Sequence, residues 1–135
     1  MENKNTNNTF SNNGVPAAKG SAGKALLEIV LPETEALLEK AGARPADEIN
    51  KARKESLGLR LSYVLGGHYY RAEGAVIDGH PVIILFATTD PSFARIGAEE
   101  SIAAFCADLP HRKLEKEIRF ALGIEPSPET YPDYE

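Results

Sequence analysis

The stretch LRLSYVLGGHYYRAEGAVIDGHPVIILFAT, Leu59–Thr88, decides the fold. Leu59, Leu61, Tyr63 and Leu65 alternate with Arg60, Ser62 and Val64, the period of a half-buried strand. Gly66-Gly67 then predicts a hairpin turn. A second strand over His68–Ile77 closes at Asp78-Gly79, a pair that readily takes the positive φ angles of a type I′ turn. A third strand follows over Pro81–Thr88, with proline at its first position, where a missing donor is tolerated. Three successive strands joined this way make an antiparallel meander.

Val82-Ile83-Ile84-Leu85-Phe86-Ala87 is apolar on both faces, so both should be covered. At the edge of a plain meander such a strand invites association. Two solutions follow. Either Ala25–Leu31 pairs beside it as a fourth strand, or a second subunit does.

Working toward the N-terminus, Ala25–Leu31 precedes Pro32. Proline inside a helix costs roughly 3 kcal/mol and pushes the residue before it towards extended geometry. The expected division is a strand to Leu31, then a helix from Pro32 to Ala41 ended by Gly42. The alternative is one kinked helix, in which Leu27, Leu31, Leu38 and Ala41 share a face. A second, weakly amphipathic helix is expected over Pro45–Ser56. Residues 1–23 hold six Asn among the first thirteen and then turn to Gly, Ala and Ser. Too little apolar surface is present to offset the entropy of ordering, and this segment reads as a flexible N-terminal arm.

Beyond the meander, Asp90-Pro91 has the form of a helix start, with an N-cap aspartate and proline at the first position. Ala98, Ile102, Phe105, Cys106 and Leu109 recur at helical spacing, and Pro110 would end that helix. A last helix over Arg112–Leu122 buries Leu114, Ile118, Ala121 and Leu122. Gly123 suits its left-handed cap, and Ile124 the hydrophobic contact that goes with it. Residues 125–135 form an acidic tail with Pro126, Pro128 and Pro132, whose Tyr131 and Tyr134 could dock on the domain or on a partner. The fold class is α+β: a three- or four-stranded antiparallel sheet, residues 24–124, with helices before and after it.

Composition bounds the function. With 42% apolar and 26% charged residues, 135 residues make one ordinary domain that needs no metal or disulfide staple. The single cysteine, Cys106, precludes an intrachain disulfide and points to a reducing compartment, read here as the cytoplasm. No apolar run approaches the ~20 residues of a membrane span, and the first twenty residues lack a signal peptide's apolar core. Net charge is −5, with a slightly basic start and four acids in the tail, so a global nucleic-acid footprint is absent.

Candidate chemistry is thin. Cys106 beside Phe105 on an apolar helix face reads as a small buried hydrophobe, not a nucleophile. His68, His80 and His111 lack the short paired spacing of metal ligands and sit beside turns. His68, Tyr70 and His80 could still line a ligand pocket at the hairpin ends. Ala18–Ala25 lacks the first glycine and the final Ser or Thr of a phosphate loop. Tyr69, Arg71 and Glu73 project from one side of the second strand, either as a partner-binding surface or as a plain Arg71–Glu73 pair with Tyr69 over the core edge. On the last helix Arg112, Lys113, Lys116 and Arg119 offer an anion or nucleic-acid contact in faint helix-turn-helix style, interrupted by Glu115 and Glu117. Phe120 lies off the apolar face and suggests a protein contact. No catalytic constellation, cofactor or metal site is legible. The function expected is a non-catalytic protein-binding or regulatory module, homo-oligomeric. A small enzyme or ligand-binding protein stands second, and a nucleic-acid binder third.

Overall fold

The computed structural model describes residues 15–53, 57 and 59–124. Five strands form one antiparallel sheet in sequence order, with helices before, between and after them: an α+β fold. The three expected strands are present as β2 (Ser62–Leu65), β3 (His68–Ile77) and β4 (His80–Thr88). Gly66, Gly67, Asp78 and Gly79 all take positive φ, so both hairpins turn on the residue pairs that sequence chemistry favours there. The short β1 (Arg44–Pro45) pairs with β2 on one edge.

The other edge corrects two expectations. The helix begun at Asp90 stops at Ile96 as α3 (Pro91–Ile96), and the chain returns as β5 (Glu100–Cys106) alongside β4. Asp90 does cap α3, accepting from the Ser92 amide at 2.9 Å. Gly97 ends it in the left-handed conformation, φ 70°, with the Ala98 amide donating to Phe93 O at 2.8 Å. Strand β5 then supplies the edge partner that β4 was expected to find in Ala25–Leu31 or in another subunit. Ile102, Phe105 and Cys106 therefore do not share a helix face: Phe105 points inward and Cys106 is exposed.

The N-terminal half of the chain holds the other correction. Ala25–Leu31 is no strand; it lies within α1 (Val15–Lys40), a 26-residue helix that contains Pro32. Leu27, Val30, Leu31, Thr34, Glu35, Leu37 and Leu38 are buried, a helical stripe. Pro32 and Glu28, whose carbonyl loses the proline's missing donor, are both exposed, so water can satisfy that carbonyl. Buried Thr34 donates its hydroxyl to Val30 O at 2.8 Å. Because α1 starts at Val15, residues 15–23 of the expected arm are helical; residues 1–14 lie outside the described residues, as does the tail 125–135. The helix expected over Pro45–Ser56 is described as α2 (Asp47–Arg53).

Helices α1 and α4 (His111–Ala121) pack on one face of the sheet around Tyr63, Tyr70, Ala72, Ile83, Leu85 and Phe105. Gly123 takes φ 80°, and the Ile124 amide closes α4 on Arg119 O at 3.1 Å. His111–Glu33 and Lys40–Glu115 pairs tie α4 to α1. Among the described residues no helix is long and apolar enough to cross a membrane.

Candidate functional site

Alternation along β3, β4 and β5 sends Arg71, Glu73, Ala75, Ile77, Val82, Ile84, Ala104 and Cys106 to the sheet's second face. That face is divided. At one end α2 and α3 close over Val64 and Tyr69 through Ala46, Ile49 and Ala94. Beneath them lies a layer of charge. Arg71 Nη2 donates to Glu99 Oε1 at 3.0 Å, Nε donates to Glu99 Oε2 at 3.3 Å, and Nη1 donates to Glu73. The Phe86 ring lies 4.6 Å from the guanidinium carbon, a cation–π contact. Arg53 reaches from α2 to Ser62 Oγ at 2.7 Å, and Asn50 Oδ1 accepts the Ser62 amide at 2.7 Å.

Burial pulls both guanidiniums towards the neutral form. Arg53 is lowered on that account, whereas the hydrogen bonds and charges of Glu99 and Glu73 leave Arg71 raised. The layer pins the loop before β5 and the backbone of Arg60, whose amide donates to Glu73 Oε2 at 3.1 Å, to the sheet. Its carboxylates are committed to guanidiniums, an arrangement suited to holding loops in place.

Tyr69, Arg71 and Glu73 are thus not an open contact surface. Arg71 is 4% exposed, and the Arg71–Glu73 pair with Tyr69 packed at the core edge is what forms. Sequence reasoning missed Glu99 and Arg53 because no local spacing links them to Arg71.

At the other end the second face is open. Ile77 is 52% exposed, Ala104 and Cys106 are exposed, and Val82 and Ile84 are half-buried. Beside it, β5 is the terminal strand of the sheet and carries no Lys, Arg or Pro.

A third feature lies on the helix-covered face. Where β2 and β3 turn, His68 and Tyr70 stack with ring centroids 5.9 Å apart. They line a groove of about 720 Å³ with Leu65, Ala87, Ile102 and Leu122. His80 does not join them: it starts β4, opposite Ile77 at the far end of β3. Among the described residues no group of three or more His, Cys, Asp or Glu could hold a metal ion. On α4, Arg112 and Lys113 are exposed, Lys116 and Arg119 are half-buried, and Phe120 is 43% exposed. The element before α4 is a strand, so the helix-turn-helix comparison fails.

Tyr63 gives a pH signature of the covered face. Burial, then the nearby charges of Glu35 and Glu39, push its phenol from 10.0 up to about 12. The unfolded chain loses this proton first, so the contribution is intact below pH 10 and is lost as pH rises towards about 12. Urea midpoints measured across that window should fall, and Tyr63→Phe should flatten the fall.

Comparison with family models, curated proteins and solved structures finds no match for this chain.

Proposed function

We propose that the chain is a non-catalytic protein-binding or regulatory module of the cytoplasm that acts through the open end of its second sheet face. Its first partner is a second copy of itself. The supporting observation is the continuity of Ile77, Val82, Ile84, Ala104 and Cys106 with an edge strand whose protection, the charge of Glu100 and the register shift at Leu85/Phe86, lies towards its start and away from Ala104 and Cys106. Natural edge strands are usually protected by charge, proline or a covering element. Pairing β5 with its copy about a two-fold axis would satisfy the free edge and set the two apolar half-faces side by side, the commonest closed symmetry.

Light scattering at micromolar concentration should give a dimer mass. Ala104→Glu should shift it to a monomer without unfolding, since the side chain is exposed. Phe120→Asp, on the opposite side of the sheet, should leave it unchanged. Cys106 provides an internal probe. Its thiol should react fast in dilute protein and slow as concentration rises. Cys106→Ala should change stability by less than about 0.5 kcal/mol, as expected for an exposed position. A monomeric mass with concentration-independent labelling would refute self-association.

A further inference from the structure

We infer that the groove at the β2–β3 end of the sheet is a binding site for a small organic cation, a protonated amine carried on an apolar body. The groove floor holds an unsatisfied polar group. Tyr70 is 5% exposed and lines the groove, and its hydroxyl has no hydrogen-bond partner among the described residues. Burial alone pushes its phenol above the ordinary value, with neither a hydrogen bond nor a charge contributing. A buried hydroxyl left in this way costs free energy, which a ligand returns by supplying the partner. Side chains on a strand stand roughly perpendicular to the sheet, so the tip of Tyr70 rises into the space between the ends of α1 and α4.

The helix ends select the charge. Helix α1 ends at Lys40 and α4 at Ala121, and both Ala41 and Ala121 line the groove. The turns that close these helices use the carbonyls of Leu37, Leu38 and Glu39 on α1 and of Ile118, Arg119 and Phe120 on α4. The carbonyls of Ala41 and Ala121, further along, accept none of these bonds. Two helix C-termini thus turn their negative ends and spare acceptors to one space, which favours a cation and disfavours an acid. No Lys, Arg, Asp or Glu is among the described residues lining it, and Lys40 is paired with Glu115 at 3.0 Å. The rest of the lining is apolar, with His68 stacked on Tyr70 adding an aromatic plane. An ammonium group at the Tyr70 oxygen and the helix-end carbonyls, with its hydrocarbon body along Leu65, Ile102 and Leu122, uses both parts of this surface. The site lies on the helix-covered face and does not depend on the dimer proposed above.

The test is an NMR titration of the full chain with phenethylamine, a cation at neutral pH, beside phenylacetate, an anion of nearly the same shape. The amine should shift the amides of Leu65, Tyr70, Ala87 and Ile102 and the ring protons of His68, saturably at millimolar concentration. It should leave the signals of Ile77 and His80 in place, and phenylacetate should move none of these groups. Tyr70→Phe should weaken the amine about tenfold, the size of a hydrogen bond to a charged group. The same substitution should leave the urea midpoint of the free chain unchanged or raised, because it orphans no partner. Groove signals that stay still with the amine, or that move equally with the acid, would overturn the inference. So would a fall in the urea midpoint of Tyr70→Phe, which would show that the hydroxyl already has its partner within the fold.

Discussion

Glu99→Gln is expected to lower the stability of the chain by about 3 kcal/mol, seen as a fall in the urea midpoint at unchanged slope. The side chain is buried, and its two oxygens take two of the donors of a guanidinium that is itself 4% exposed. Glutamine keeps the shape but removes the charge and turns one acceptor into a donor facing the Arg71 donors. Glu73 remains as a counter-charge, which holds the loss at the low end of the ~3–5 kcal/mol typical when one partner of a buried pair is removed. Against a total stability of about 5–15 kcal/mol this is a large fraction. Glu73→Gln should cost less, because that carboxylate is a quarter exposed and water screens the change. Arg71→Met combined with Glu99→Leu should recover only part of the loss, since it removes the buried pair but takes from Glu73 the guanidinium it faces. A loss under about 1 kcal/mol for Glu99→Gln would mean that water reaches the layer, and that it does not pin the loop before β5.

That layer also shows where reading from sequence stops. The hairpins were legible because Gly66-Gly67 and Asp78-Gly79 carry their conformational preference locally, and α4 because Gly123 closes it. Glu99 meets Arg71 across 28 residues of chain, with no periodicity to announce it. The run Ile102–Ala107 fits a helix or a strand equally well, and only the open edge of β4 decides between them. Pro32 misled for a similar reason: its cost depends on which side of α1 it falls, and it falls on the solvent side, where Glu28 O can find water. The separation of His80 from His68, by contrast, was readable. A ten-residue strand between two hairpins keeps its ends roughly 30 Å apart.

Gly74→Val is expected to destabilise the fold by about 3 kcal/mol, against the local preference of a strand for a β-branched residue. A Cβ at this position would stand 3.0 Å from Leu27 Cδ2, and 3.1 Å from Leu27 Cδ1 and Leu31 Cδ1. Both leucines are buried under α1, at 7% and 8% exposure, so their side chains have little room to turn away. Gly74 takes no left-handed conformation, so backbone strain does not enter and the cost is the helix being pushed off the sheet. Alanine asks the leucines to yield only a few tenths of an ångström and should cost about 1 kcal/mol. Valine adds two methyl groups to the same contact. Leu27→Ala in the Gly74→Val chain should give a coupling of about 1–2 kcal/mol in a double-mutant cycle, because the small residue moves from one side of the contact to the other. The sign of the valine effect separates two arrangements of the N-terminal half. With Ala25–Leu31 seated as a helix across β3, crowding outweighs strand propensity and stability falls. With that segment elsewhere, valine fills a half-buried strand position and stability rises.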